Sequence, residues 1–182
     1  MLSCISRINE FRDLQSISPR KRSEEVHAIC RQLRNLTQVI QIKDEASSNA
    51  LDISRIILTA ELYRKAALLY LEQAANDFSR PAVYVELLME ECFVILDQLR
   101  LCTSPWPLFI LASWCMKDEH RVKILDTLEQ MHLKRKIQNV RTMETIIQAL
   151  WRRMDLLTTD GAWVNINWRN LIDMREGMPS FI

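Results

Sequence analysis

The chain has 182 residues, a formal net charge of +1 and only two glycines, Gly161 and Gly177. Glycine-rich phosphate loops, dinucleotide-binding turns and tight β-hairpins depend on glycine, so the sequence excludes such sites and predicts an all-α protein. The charge balance provides no domain-wide field that would hold DNA or a membrane surface. The length allows one domain whose core needs neither a disulfide nor a metal.

The first 42 residues predict two peripheral helices. Apolar residues recur at every third position from Leu2 to Leu14, and Ser18-Pro19 is typical of a cap followed by the first helical residue. The second helix has a narrow apolar face from Val26 to Ile40 and a heavily charged back. This pattern is typical of a helix at the edge of a domain, or of one that pairs with a partner.

The stretch from Asn49 to Asp77 predicts a long central helix, because its apolar residues cover most of the helix circumference. Pro81 begins a fourth helix with an inward face from Val85 to Leu99. We predict a single helical domain, residues 1–182, in which residues 1–42 are peripheral and residues 49–182 form the core. Its expected architecture is an irregular multi-helix bundle of about eight helices around the central buried helix.

The segment from Thr103 to Pro107 predicts a break, because two prolines cannot both lie inside a helix. A short, almost wholly apolar helix is expected from Leu108 to Met116. Asp118 and Asn139 are expected to cap two amphipathic helices, and a last short helix carries Trp168 after a turn region around Gly161. The predicted inward residues of the amphipathic helices are Val122, Leu125, Leu128 and Met131, then Val140, Met143, Ile147, Leu150, Trp151 and Met154.

The five cysteines are odd in number and widely spaced, and no two of them form a Cys-x-x-Cys pair. We interpret them as reduced thiols of an intracellular protein. Charged residues close to the N-terminus exclude a signal peptide. The longest uncharged apolar stretch, residues 105–116, is shorter than the roughly 20 residues that span a membrane.

Two Glu-x-x-His pairs, Glu24 with His27 and Glu129 with His132, have the spacing of di-iron ligands in helical bundles. Glutamates on two other helices would have to complete such a site; the candidates are Glu61, Glu86, Glu90 and Glu91. All of these residues lie beside the apolar stripes rather than within them, which favours surface charge. No motif for nucleophilic catalysis is present either. We therefore predict no metal, no cofactor and no enzymatic activity, with a di-iron bundle enzyme as a remote alternative.

The C-terminal half is rich in large adaptable side chains. All five tryptophans follow residue 105, and seven of the eight methionines follow residue 88. Such residues build apolar pockets, or they fill a core. The Pro105-Trp106-Pro107 sequence breaks the helix path and leaves a bulky ring at a helix junction. These residues are interpreted first as the filling of a core, and a small apolar ligand pocket there is the competing hypothesis; the residues concerned are Trp106, Phe109, Trp114, Trp151 and Met154.

Four short motifs follow one another in a recognisable order. They are Pro-Trp-Pro-Leu-Phe-Ile at 105–110, Glu-x-Arg-x-x-Ile-Leu at 119–125, Asn-Val at 139–140 and Trp-Arg-Arg-Met-Asp at 151–155. Together they resemble the C-terminal part of the second type of fungal-specific transcription factor domain, the helical regulatory region of fungal zinc-cluster transcription factors. The resemblance covers residues 50–182.

The resemblance implies a regulatory or protein-interaction domain that acts in the nucleus. It implies protein partners from the transcription machinery or a homodimer partner, a possible small apolar ligand, and no catalytic residues. The family's zinc cluster uses six closely spaced cysteines, and the five in this chain lack that spacing. Direct DNA binding by this chain alone is therefore not expected. A generic helical scaffold unrelated to transcription is the alternative function.

Overall fold

A computed structural model of the protein describes residues 1–13, 18–36, 50–75, 83–99, 102–135, 138–157 and 168. These residues form seven α-helices and no β-strand, which confirms the all-α prediction. No helix in this part of the chain is long and apolar enough to cross a membrane. The helices are α1 (Leu2–Asp13), α2 (Pro19–Arg34), α3 (Ala50–Ala75), α4 (Val83–Gln98), α5 (Pro105–Ala112), α6 (Asp118–Arg135) and α7 (Gln138–Leu157).

Helix α3 is the central helix, because α1, α2, α4 and α5 all pack against it. Every side chain from Glu61 to Ala75 is buried or partly buried. The first turns of α3 differ, since Leu51, Ile56 and Ile57 are exposed there. A helix that is apolar on all sides is buried only where other helices surround it. The neighbouring helices cover the C-terminal half of α3 and leave its first turns exposed.

Helices α1 and α2 pack onto α3 and onto each other. Ile5, Ile8 and Phe11 are buried on α1, and Ile29 and Leu33 are buried on α2. Pro19 is the first residue of α2, as predicted, although the Ser18 side chain accepts no capping hydrogen bond from the backbone. Pro can begin a helix without cost because its missing N–H would have no partner there.

The predicted break at Thr103–Pro107 is wrong for its last three residues, because α5 begins at Pro105 and contains both prolines. Both prolines lie in the first turn of α5. The first four N–H groups of a helix have no intrahelical acceptor, so two prolines cost little in that turn. Helix α5 ends at Ala112 rather than at Met116, and its residues from Trp106 onwards are buried.

Helices α6 and α7 pack against each other and against α5. The six inward residues predicted for α7 are all buried, which confirms its apolar stripe. On α6 the predicted stripe is partly wrong, because Val122 is 56% exposed and Ile124 is buried in its place. The predicted stripe uses a spacing of three throughout, and such a stripe drifts around a helix that has 3.6 residues per turn. Ile124, Leu128 and Met131 are spaced by four and then three, so they stay on one face.

The predicted helix ends after residue 112 need small corrections. Asp118 is the first residue of α6, where its charge suits the helix N-terminus, and Asn139 lies inside α7, which begins at Gln138. The predicted turn around Gly161 and the last helix lie outside the described residues. Trp168 is described, and it is buried.

Candidate functional site

The aromatic residues of the first motif, residues 105–110, lie in the centre of the bundle. The Trp106 ring stacks on Tyr63 of α3, with centroids 5.8 Å apart and planes 9° apart. Tyr70, also on α3, meets the same indole edge-on at 5.9 Å. Phe109 contacts Trp168 in a T-shaped arrangement at 4.8 Å. This motif therefore fastens α5 to α3 and to residue 168.

Arg121 joins the second and fourth motifs, a contact that the amino-acid sequence does not reveal. Its guanidinium donates two hydrogen bonds to the Asp155 carboxylate, at 2.9 and 2.7 Å. Its Nε donates to the carbonyl oxygen of Cys115 at 3.2 Å, and its charge lies 5.4 Å from the Trp151 ring centre. The only sequence signal was that Arg121 and Asp155 both belong to motifs of the resemblance. A single sequence does not show that two such residues meet.

The five residues of the predicted pocket are all buried, with exposures of 6% or less. They belong to one apolar core that also includes residues of α1–α4. Trp151 Nε1 donates to the carbonyl oxygen of Ala112 at 2.8 Å, which closes α7 onto α5. Trp114 also lines a surface cavity. A pocket formed by the five together stays a prediction.

We name this surface cavity the Trp114 cavity. It has a volume of about 370 Å³ and lies between the first half of α4 and the segment that joins α5 to α6. The indole of Trp114 and the side chains of Met89 and Met116 give it apolar walls. All of its lining residues are Val83, Val85, Glu86, Leu87, Met89, Glu90, Trp114, Met116, Lys117 and His120. A volume above about 300 Å³ with apolar walls and a few polar groups is typical of small-molecule sites.

The mouth of the Trp114 cavity is polar. Glu90 Oε1 lies 3.4 Å from Lys117 Nζ and 3.5 Å from His120 Nε2. The His120 ring stacks on Phe93 of α4, with centroids 4.1 Å apart and planes 20° apart. Lys123 of α6 forms an ion pair with Asp97 of α4 further along the two helices. These contacts hold α4 beside α6 and fix the two sides of the mouth.

A second groove, of about 320 Å³, lies over α3 between α2 and α4. One of its lysines already has acidic partners: Lys65 Nζ lies 2.6 Å from Glu91 Oε2, which also lines the groove, and 3.3 Å from Glu61 Oε1. Arg64 donates to Glu61 as well, and these cations hold the pKa of the Glu61 carboxyl below its usual value.

The candidate metal ligands do not come together. Glu24, His27 and Glu129 are exposed, and Arg141 Nε donates to His132 Nε2 at 3.2 Å. Among the residues that the structure describes, no three His, Cys, Asp or Glu side chains are placed to hold a metal ion. Glu86 and Glu90 line the Trp114 cavity instead, and Glu61 and Glu91 belong to the Lys65 ion pairs.

The cysteines form no disulfide. Burial raises the pKa of Cys92 to about 12, and it raises the pKa values of Cys102 and Cys115 as well, because a thiolate loses its water in the core. These thiols are structural residues rather than nucleophiles.

The chain is similar in sequence to known regulators of transcription. The family described as "Fungal specific transcription factor domain" matches residues 1–181. This match includes α1 and α2, which lie before the stretch that carries the motifs. A transcription factor named iacI, from Pestalotiopsis fici, is 27% identical over 116 residues, which are 62% of this chain and 28% of that protein. The chain therefore matches less than a third of the length of that relative. No solved structure matches the chain.

Proposed function

The chain belongs to the fungal-specific transcription factor domain family, and from this membership we propose a nuclear regulatory domain that acts through protein contacts. The observation that carries the proposal is the family match over residues 1–181, which includes every described helix. The continuous apolar core from α1 to α7 supports our further proposal that residues 1–182 form one domain.

The surface and the cysteines support a role without direct DNA contact. The net charge of +1 provides little attraction for phosphate, and the five cysteines are free and mostly buried. We propose that a DNA-binding element outside these 182 residues tethers the domain to its target genes. From the family membership we also propose that the domain acts in the nucleus.

The exposed apolar residues support a protein partner. On α4, Val83 is 79% exposed, Leu87 is 62% exposed and Val94 is 56% exposed. Exposed apolar side chains that share one helix are typical of interaction surfaces. The proposed partner is a protein of the transcription machinery, with a second copy of the chain as the other candidate.

A tethering experiment tests the proposed function. Residues 1–182 are fused to an unrelated DNA-binding domain, and transcription from a reporter gene is measured in a fungal cell. We expect the fusion to change reporter output relative to the DNA-binding domain alone. The variant Leu111→Asp should abolish the effect, because Leu111 is fully buried and a charge there unfolds the core.

A surface variant separates folding from partner binding. Leu87→Asp should weaken the effect while circular dichroism stays unchanged, and Gln130→Asp, at an exposed polar position of α6, is its matched control. An expressed and folded fusion that leaves the reporter unchanged would contradict the regulatory proposal. That result would favour a helical scaffold unrelated to transcription.

A further inference from the structure

We propose that the Trp114 cavity binds a small amphipathic amine, with its apolar body in the cavity and its ammonium group at the mouth. This inference goes beyond the proposed function, because it concerns binding by the purified domain whether or not the domain regulates transcription.

The apolar walls of the cavity determine which kind of ligand body fits inside it. Val85 and Met89 of α4 and Trp114 of the α5–α6 connection are nearly fully buried, and Met116 of the same connection is partly buried. Methionine side chains adapt to the shape of a guest, and an indole offers a flat apolar surface. A volume of about 370 Å³ has room for one aromatic ring with a short chain.

The mouth of the cavity determines the charge of the ligand. It contains the carboxylates of Glu86 and Glu90 and the single ammonium group of Lys117. Lys117 and His120 both lie beside Glu90. Among the described residues that line the mouth, no cation remains to neutralise Glu86. With a neutral His120 the mouth therefore has a net negative charge, which attracts a ligand ammonium group and repels a carboxylate.

The contacts around the mouth of the Trp114 cavity indicate that the site is already formed without a ligand. Phe93 of α4 stacks on the His120 ring, and the Lys123–Asp97 ion pair holds α6 against α4. A site that is already formed needs no ordering on binding, which lowers the free-energy cost of association.

Three matched probes test the inference: 4-phenylbutylamine, 4-phenylbutan-1-ol and 4-phenylbutanoate. They share the ring and chain and differ in the charge of the end group. Their affinities for the purified 182-residue chain are measured by ligand-observed NMR titration. We expect the amine to bind about threefold more tightly than the alcohol, and the carboxylate to bind more weakly than both, since exposed charge pairs contribute this much. High salt should remove the advantage of the amine.

Variants locate the bound probe. Val85→Phe fills the cavity and should abolish binding of the amine and the alcohol, whereas Val94→Phe makes the same change at an exposed position of α4 and should not. Glu86→Gln should reduce the affinity for the amine to that for the alcohol, and Glu129→Gln, an exposed glutamate of α6 outside the cavity lining, is its control.

Several results would overturn the inference. They are equal or tighter binding of 4-phenylbutanoate, no saturable binding of any probe to the folded chain, or unchanged amine binding in Glu86→Gln. If Val85→Phe does not fold, Glu86→Gln and its control still decide the question. Because binding is measured on purified protein, its failure is distinguishable from failure of the reporter experiment.

Discussion

Cys30 differs from the other four cysteines because it borders the groove between α2 and α4 and is only partly buried. The remaining thiols lie in the core. Burial removes water from the sulfur atoms of Cys92, Cys102 and Cys115, and this raises the pKa of each of the three thiols. A reagent in solution reaches a partly buried thiol more readily than a buried one, so access separates Cys30 from the other four.

This difference predicts selective alkylation. In the native protein at pH 8, iodoacetamide should modify Cys30 alone, and in denaturant it should modify all five cysteines. Mass spectrometry of intact protein and peptides measures the sites. Rapid native modification of Cys92, whose pKa burial raises to about 12, would show that the core opens readily.

Alanine substitutions distinguish a filled core from the predicted pocket. Phe109→Ala should lower the free energy of unfolding by about 3–5 kcal/mol, because a fully packed ring leaves a cavity. Trp114→Ala should cost less, since one side of its indole already faces the Trp114 cavity and has fewer contacts to lose. Denaturant unfolding measures both variants. Equal losses would show that Trp114 is packed as tightly as Phe109.

At the scale of elements, Arg121 fastens the α5–α6 connection to α7. Its side chain is only 13% exposed, and it contacts Asp155, Trp151 and the Cys115 carbonyl together. Arg121→Lys keeps the charge but loses the two-pronged hydrogen bond, so we expect a loss of about 1–2 kcal/mol of unfolding free energy. Arg152→Lys, at an exposed position of α7, should stay within about 0.5 kcal/mol. Thermal and denaturant unfolding test the pair, and equal effects would contradict this role of Arg121.

The Glu61 ion pairs connect α3 to α4 through Lys65, and they predict a pH dependence. The Arg64 hydrogen bond, with further contributions from Lys65, lowers the pKa of Glu61 below its ordinary value of 4.5. A group whose pKa is lowered by folding stabilises the protein above its unfolded pKa, and this stabilisation is lost as the pH falls through the folded pKa.

Glu61→Gln should therefore destabilise the protein at pH 7 by about 0.5–1 kcal/mol, a small value because the carboxylate is one-third exposed and screened by water. The difference from the wild type should shrink below about pH 4. Urea unfolding at several pH values measures it, with Glu129→Gln as the control for an exposed glutamate. A difference that grows on acidification would contradict the assigned direction.

At the scale of the whole molecule, the near-neutral charge predicts weak and unspecific interaction with DNA. The isolated chain should show no footprint at any single DNA sequence, and any electrostatic binding should fall steeply as salt is raised toward physiological concentration. Gel-shift and footprinting experiments over a salt series test this. A footprint at one site that survives physiological salt would contradict it.

Local sequence determined where the helices of this protein form, and the tertiary structure determined which residues of different helices contact each other. Two glycines and a helical apolar period were enough to predict the all-α fold, the central position of α3 and the buried face of α7. The helical period and the apolar stripes behind these predictions are set by residues that are close in sequence. The Arg121–Asp155 contact, the exposure of the first turns of α3 and the Trp114 cavity depend instead on which distant residues meet. A period along one helix cannot encode the spacing between two helices, so only the tertiary structure placed Glu86, Trp114 and His120 around one cavity.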